Sequence, residues 1–340
     1  MKTAVICFSD AGAALALRLI GLPGMEGAEV HSVRKYSERY GFTAHDRIGA
    51  DMGELFSSHD ALVFIGACGI AVRDIAPHLK SKTEDPAVLV LDDRGRYVIP
   101  ILSGHIGGAN ALAEELAEKL GALAVVTTAT DGAGRFSCDA WAAAHGCALS
   151  SMDTAKAVSA AILTGDVPIS SEFPLPDRLP AGLIRGEGGE LGIRIGIRRD
   201  EPFGRTLRLI PRIVTLGIGC RRGISAEAVR AAVTETLSSA GIDLRAVCRA
   251  ASIDVKRDEA GLAEFASGIG AEPVFYSAEE LEAVPGDFTE SEFVRKTVGV
   301  GSVCERAAVL GSGMGTLLVR KTARDGVTVA AAASEWRVEF

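Results

Sequence analysis

The sequence predicts an α/β protein: two Rossmann-like α/β domains with a smaller middle region between them. Three observations predict it. Apolar runs of strand length recur (TAVICF, ALVFI, AVLVL, VTLGI), glycine-rich turns follow several of them, and helical patterns follow the turns. Such units in series imply a mainly parallel sheet. A length of 340 residues fits two or three domains. The expected divisions are 1–135, 136–211 and 212–340.

In the first part, Thr3–Phe8 reads as a strand, Ser9–Gly12 as a turn and Ala13–Leu19 as a helix. Ala61–Ile65 is a second strand, followed by the Gly66–Gly69 turn and a helix from Ile70. Ala87–Leu91 and Tyr97–Leu102 flank Asp92–Arg96, a hairpin-like turn. Ser103–Gly108 leads into the helix Ala109–Leu120, and Ala124–Thr128 is a further strand. Residues 137–161 hold two Ala-rich helical patterns, the second expected to be capped by Asp153. Four prolines (Pro168, Pro174, Pro176, Pro180) are expected to break regular structure in 165–182. Leu191–Arg199 alternates as a half-buried strand does, with Thr206–Ile210 as its partner. In the last part, Val214–Ile218 is a strand and Ser225 caps the helix Ala226–Ala240. Ala246–Ser252, Pro273–Tyr276, Leu317–Arg320 and Val327–Ala333 read as strands, and Leu262–Ile269 and Val303–Leu310 as helices.

Composition excludes several classes. With 48% hydrophobic and 24% charged residues the chain is neither disordered nor collagen-like. A net charge of -8 argues against a general polyanion binder, so no nucleic acid partner is expected. The seven cysteines are scattered and form no CxxC pair, which speaks against a disulfide scaffold or a structural zinc site. The apolar start ends at Ser9 and Asp10, short of a signal peptide, and no run reaches membrane-span length. The expectation is a cytoplasmic protein with no membrane contact. All six histidines precede residue 146, which assigns any histidine-based proton transfer to the first part.

Two glycine-rich turns gather the chemistry. Gly66 and Gly69 stand between strand and helix, where backbone N–H groups approach an anion, with Arg73, Lys80 and Lys82 downstream. Ser103, Gly104, Gly107 and Gly108 form a second such turn around His105, a loop histidine suited to act as general base or hydrogen-bond donor, with Asn110 as a helix cap or ligand contact. Thr127, Thr128 and Asp131 mark a polar strand end. All three clusters are expected on one edge, at the carboxyl ends of the strands. The competing reading is structural: glycines that only make turns, and a histidine that only ties its loop.

Other signatures fail. No GxxxxGK[ST], GxSxG or HExxH occurs. Gly217–Gly223 misses GxGxxG because Arg222 stands at the third glycine; Arg221 and Arg222 at a helix start fit carboxylate or phosphate recognition better. Cys220, beside two arginines at a helix start, fits a lowered pKa or a tightly packed small residue. The charged run Asp254–Glu259 reads as a solvated loop.

At FIGACGIAVRDIAP, LSGHIGGANALAEELA and TTATD the sequence resembles the CbiG family, the cobalt-precorrin-5A hydrolases. LGIGCRRG, ASIDVKRDEAGL, FTESEFVRKTVGVGSVCERAA and VTVAAA resemble that family's C-terminal domain, so the likeness spans nearly the whole chain. The resemblance implies a hydrolase of anaerobic cobalamin (vitamin B12) biosynthesis. Water opens the ring A δ-lactone of a cobalt corrinoid, and the methylated C20 bridge carbon leaves as acetaldehyde, giving cobalt-precorrin-5B. The C-terminal part also resembles a small stand-alone protein of the aerobic pathway. His105, Asp131 and Ser103 are the expected catalytic residues. Gly66, Gly69, Arg73, Lys82, Gly104, Gly107, Gly108, Asn110, Thr128, Gly219, Arg221 and Arg222 are expected to bind the polycarboxylate substrate. The cobalt belongs to the substrate, so no cofactor and no protein metal site are expected. Transient contacts with neighbouring pathway enzymes are the expected partners beyond the corrinoid. Two other readings compete: a non-catalytic corrinoid carrier, which binds without releasing acetaldehyde, and an unrelated α/β enzyme acting on a phosphorylated or nucleotide substrate, which the broken GxGxxG opposes.

Overall fold

A computed structural model describes residues 1–81, 84–104, 107–127 and 134–340. The chain divides into two compact units, Met1–Ala143 and Ala144–Phe340. Three sheets supply the architecture, one of seven strands and two of five.

The first unit holds the seven-stranded sheet, ordered β3-β2-β1-β4-β5-β6-β7. Its strands are β1 (Thr3–Cys7), β2 (Glu29–Val33), β3 (Thr43–His45), β4 (Ala61–Ile65), β5 (Ala87–Leu91), β6 (Tyr97–Leu102) and β7 (Leu123–Ala124). The first five run parallel in the 3-2-1-4-5 order of a doubly wound fold. Strands β1, β4 and β5 are buried at every position, which explains their unbroken apolar sequences. Helices cover both faces. On one, α1 (Asp10–Ile20) and α5 (Ala109–Leu120) bring Leu15, Leu19, Leu112 and Leu116 onto Val5, Val63 and Leu89. On the other, α3 (Ile48–Ser58) and α4 (Cys68–Ile75) set Met52, Leu55 and Ile75 against Ile6, Leu62 and Phe64. Full burial of each such side chain stabilises by about 1.5–3 kcal/mol. The sequence reading passed over β2, β3, α3 and the short helix α2 (Arg34–Tyr40), because their apolar residues are few and the turns between them short.

Strand β6 is the exception that matters. It pairs antiparallel to β5, with Val88 opposite Leu102 and Leu91 opposite Val98, across the Asp92–Arg96 hairpin. Asp92 holds that turn by accepting the N–H groups of Arg96 (2.6 Å) and Tyr97 (2.9 Å).

The second unit begins with the middle sheet, β10-β9-β11-β12-β8. It comprises β8 (Cys147–Leu149), β9 (Val167–Ser171), β10 (Leu183–Arg185), β11 (Leu191–Ile195) and β12 (Arg205–Pro211). The expected break at Pro168 does not occur: it lies within β9, opposite Ile184, and β9 pairs with β10 and β11 on either side. Strands β11 and β12 pair as expected, in parallel. The cap of the helix Met152–Thr164 is Ser151, not Asp153, since the Ser151 hydroxyl accepts the Thr154 N–H at 3.2 Å.

The third sheet is ordered β15-β14-β13-β17-β16, from β13 (Val214–Cys220), β14 (Val247–Ile253), β15 (Glu272–Tyr276), β16 (Thr316–Arg324) and β17 (Val327–Ala333). Ser225 caps the helix Ala226–Ser239, as its sequence predicts. The helix Val303–Gly311 lies so close to β13 that a Cβ at Gly217 would stand 1.7 Å from the Cys304 carbonyl. Gly217 therefore serves helix–strand contact. Among the described residues no helix is long and apolar enough to cross a membrane.

Candidate active site

The reversal at β6 separates the clusters that the sequence reading placed on one edge. Gly66 follows β4 at the carboxyl ends of the parallel strands, with φ +151° and its N–H donated to the Leu91 carbonyl at 2.8 Å. Gly69 lies in the first turn of α4, and the exposed Arg73 folds back toward it, 3.8 Å from where a Cβ would stand. Ser103 follows β6, whose end lies beside the start of β5. Its loop is therefore at the opposite edge, at the amino ends of β4 and β5. Strand β7 runs parallel to the first two residues of β6 and so points toward that edge.

The loop after β6 is tightly built. Ser103 has φ +54°, a left-handed conformation that costs a non-glycine residue on the order of 1–3 kcal/mol. The Ser103 hydroxyl donates to the Asp85 carbonyl at 2.9 Å, so its proton is committed to holding the loop against the start of β5. The Ser103 and Gly104 carbonyls accept the N–H groups of Ala109 (3.1 Å) and Asn110 (2.9 Å). At Gly107 a Cβ would lie 2.4 Å from the Ser103 Cβ and 2.9 Å from its carbonyl oxygen, so the fold requires glycine there. Gly108, at φ +79°, takes the cap position of α5 that the sequence reading offered to Asn110. The Asn110 side chain instead lies against Gly104, its Oδ1 2.7 Å from where a Cβ would stand. His105, Lys82, Thr128 and Asp131 lie outside the described residues.

A cavity of about 800 Å³ opens beside this loop, within the size range of small-molecule sites. Gly107 lines it, together with the end of α3 (Phe56, Ser57), the turn Pro77–Lys80, and the residues entering β4 (His59, Asp60) and β5 (Glu84, Asp85, Pro86). The lining charge is mixed. Asp85 is buried and accepts the Lys80 N–H at 2.9 Å, and Asp60 accepts the Lys2 N–H at 2.7 Å. Both carboxylates thus hold backbone, while the exposed Lys80 side chain presents a cation at the rim. None of these lining residues except Gly107 was singled out as a site residue, apart from Lys80 as a downstream cation. The lining comes from strand entries, where sequence reading looks for nothing.

The second unit uses its singled-out residues differently. A Cβ at Gly219 would stand 2.6 Å from the Thr328 hydroxyl of the neighbouring strand, so this glycine serves strand packing. Arg221 and Arg222 are exposed, the first tied through its N–H to the Gly326 carbonyl at 3.0 Å. Glu259 accepts the Gly223 N–H at 2.6 Å and pairs with Lys256 at 3.3 Å, so the expected solvated run is partly a built tie. Burial pushes the Cys220 thiol up, outweighing the cation of Lys256, which contradicts the lowered pKa weighed for it. Glu305 is fully buried and accepts from Thr289 (N–H 2.6 Å, hydroxyl 2.9 Å) and from the Lys321 N–H (2.7 Å). It joins a loop, a helix and β16.

Comparison with known proteins follows the same two-part division. Residues 51–131 match the family described as cobalamin synthesis G N-terminal, and residues 214–332 the one described as cobalamin synthesis G C-terminus. A cobalt-precorrin-5A hydrolase of Salmonella typhimurium is 35% identical over 96% of this chain and 96% of its own. One of Priestia megaterium is 33% identical over 82% of this chain and 79% of its own. Protein CobE of a Sinorhizobium species is 35% identical over 31% of this chain and 70% of its own. The chain belongs to the cobalamin synthesis G family.

Proposed function

We propose that this chain hydrolyses cobalt-precorrin-5A, opening the ring A δ-lactone and releasing the C20 fragment as acetaldehyde to leave cobalt-precorrin-5B. One observation carries the reading: 35% identity, collinear over 96% of both chains, with an enzyme of that name. The reacting part of the corrinoid is assigned to the cavity at the amino ends of β4 and β5. Lactone opening needs an activated water and a site for a tetrahedral oxyanion. His105, from its place between Gly104 and Gly107, is the proposed base, with Asp131 orienting it or taking the second proton. Backbone N–H groups of the Ser103–Gly108 loop are the proposed oxyanion donors, and Ser103 positions them. Lys80, with Lys82 and Thr128, is assigned to substrate carboxylates.

The cobalt is the substrate's own. Once water has added to the lactone carbonyl, the freed C20 oxygen becomes the aldehyde carbonyl. The bond from C20 to the ring breaks, and its electron pair passes to the macrocycle. Arg221 and Arg222, exposed in the second unit, keep the chemistry that suits a carboxylate. Division into 1–135, 136–211 and 212–340 is retained as part of this proposal.

His105→Ala tests the mechanism. Acetaldehyde release from cobalt-precorrin-5A under anaerobic conditions should fall by about 10²–10⁴-fold, the usual worth of a general base. An unchanged rate removes His105 from the chemistry.

A further inference from the structure

A second cluster of chemistry-bearing residues lies on the same edge of the first sheet; one member, His59, also lines the cavity, but the lactone reaction as proposed gives none of them a role. Glu29 begins β2, His31 is two residues along it, and His59 stands just before β4. One ligand atom from each lies within 4.8 Å of the others. The Nε2 atoms of His31 and His59 face the same Glu29 carboxylate oxygen, Oε2, at 3.7 and 3.6 Å. Both imidazoles are more than nine-tenths buried, and neither Nε2 has a hydrogen-bond partner. A buried nitrogen left this way costs on the order of 1–3 kcal/mol unless something fills the gap.

The hydrogen bonds behind the rings decide which nitrogens carry protons. His59 Nδ1 lies 3.0 Å from the Leu55 carbonyl, which only accepts, so Nδ1 holds the proton and Nε2 offers a lone pair. The Ser58 hydroxyl is also 3.0 Å from that Nδ1. His31 Nδ1 lies 3.0 Å from His45 Nε2, and His45 Nδ1 lies 2.7 Å from the Asp51 carboxylate. When Asp51 accepts from His45 Nδ1 and His45 Nε2 accepts in turn from His31 Nδ1, His31 Nε2 is left bare, as a metal ligand must be. Two buried Nε2 atoms without hydrogen-bond partners thus converge with a carboxylate oxygen. The nearby cation, Lys2 Nζ, sits 3.7 Å from the other carboxylate oxygen, Oε1.

We propose that Glu29, His31 and His59 bind a divalent transition-metal ion of the zinc class, with an open coordination position. Two imidazoles and one carboxylate are a known three-ligand set for such ions. Metal–ligand bonds of about 2.0–2.1 Å at tetrahedral angles put ligand atoms about 3.3 Å apart, close to the two separations seen here. The rings already have their outer shell: an Asp51–His45–His31 relay on one side and a backbone carbonyl behind His59 on the other. Glu29 is half exposed and gives the ion a path in. Three scattered positions carry the site, brought together by the parallel pairing of β2 and β4 with β1. That is why no local motif announces it, and the sequence expectation of no protein metal site is the one this inference replaces.

The test uses the untagged full-length chain, stripped with EDTA, dialysed and titrated with Co²⁺, then with Zn²⁺ in competition. The expected result is one Co²⁺ per chain with visible d–d bands free of thiolate charge transfer, displaced by Zn²⁺. Glu29→Gln, at the exposed ligand, should weaken binding at least ten-fold. Asp51→Asn, which touches no metal, should weaken it about 10–100-fold. Circular dichroism confirms that both variants fold. Failure of the folded chain to bind Co²⁺ overturns the proposal. So does binding through thiolates, or binding that both variants leave unchanged.

Discussion

The two edges of the first sheet are built from the same parts and organised in opposite ways. At the carboxyl edge, the Gly66–Gly69 turn leads into a helix whose lone basic residue is exposed, and a Cβ at Gly69 would make only ordinary contact. At the amino edge, the Ser103–Gly108 loop carries a left-handed serine and a glycine the fold cannot replace, beside a cavity and two unpartnered histidine nitrogens. Ligands of open parallel sheets usually lie at the carboxyl edge. Here one antiparallel strand carries the strained loop to the other edge. Strain and unpaired polar groups persist where the surrounding structure is made to hold them, and such places are where function concentrates.

The second unit sharpens the contrast, since it uses its buried charge for internal ties. Asp243 is 4% exposed and accepts from Arg208 (2.7 Å) and Arg245 (2.8 Å), joining the middle sheet to the third. Burial alone would raise its pKa; hydrogen bonds from the Arg245 side chain and N–H and from Arg208 outweigh that and hold the carboxyl well below its usual range. Asp243→Ala leaves the buried Arg208 with only the distant Glu201 carboxylate, 3.9 Å away, and should cost about 3–5 kcal/mol of stability, read from urea denaturation. A depressed folded-state pKa means the contribution is complete above about pH 4, the unfolded value, and is lost as pH falls below it. The acid-side slope of stability should therefore be shallower in the variant. An equal slope would show that the tie is not what it is taken to be.

Gly107→Ala compared with Gly69→Ala breaks or keeps the contrast between the edges. The first forces Ser103 away by a sizeable fraction of an ångström and should cost on the order of 10²-fold in kcat/KM. The second should cost less than about three-fold, because its Cβ meets only the end of Arg73, 3.8 Å away. Comparable losses in the two variants would dissolve the distinction.

Much of the fold was legible because burial on both faces writes unbroken apolar runs, as in β1, β4 and β5. The glycine turns were legible for the same local reason. What escaped depends on pairing across the chain. The hairpin at Asp92–Arg96 was readable, yet its consequence, that Ser103 lies at the opposite edge from Gly66, needs the register of β6 on β5. The cavity lining comes from strand entries such as Asp60 and Asp85, polar residues with no pattern of their own. Gly217 and Gly219 stand out in the sequence only as part of a broken GxGxxG, since helix or strand contact and phosphate approach ask for the same missing side chain. Glu29, His31 and His59 meet only when β1 stands between β2 and β4.

Charge reversal at the two edges tests the central claim most directly. Lys80 borders the cavity at the amino edge, and Arg73 lies on α4 with its guanidinium turned toward the carboxyl edge. Both are exposed, so Lys80→Glu and Arg73→Glu should fold alike. With acetaldehyde release from cobalt-precorrin-5A as the readout, Lys80→Glu should raise KM about ten-fold or more, the worth of one charge-assisted contact, while Arg73→Glu stays within about two-fold of the parent. The reverse ranking, with Arg73→Glu the damaging change, would place the substrate at the carboxyl edge and contradict the account.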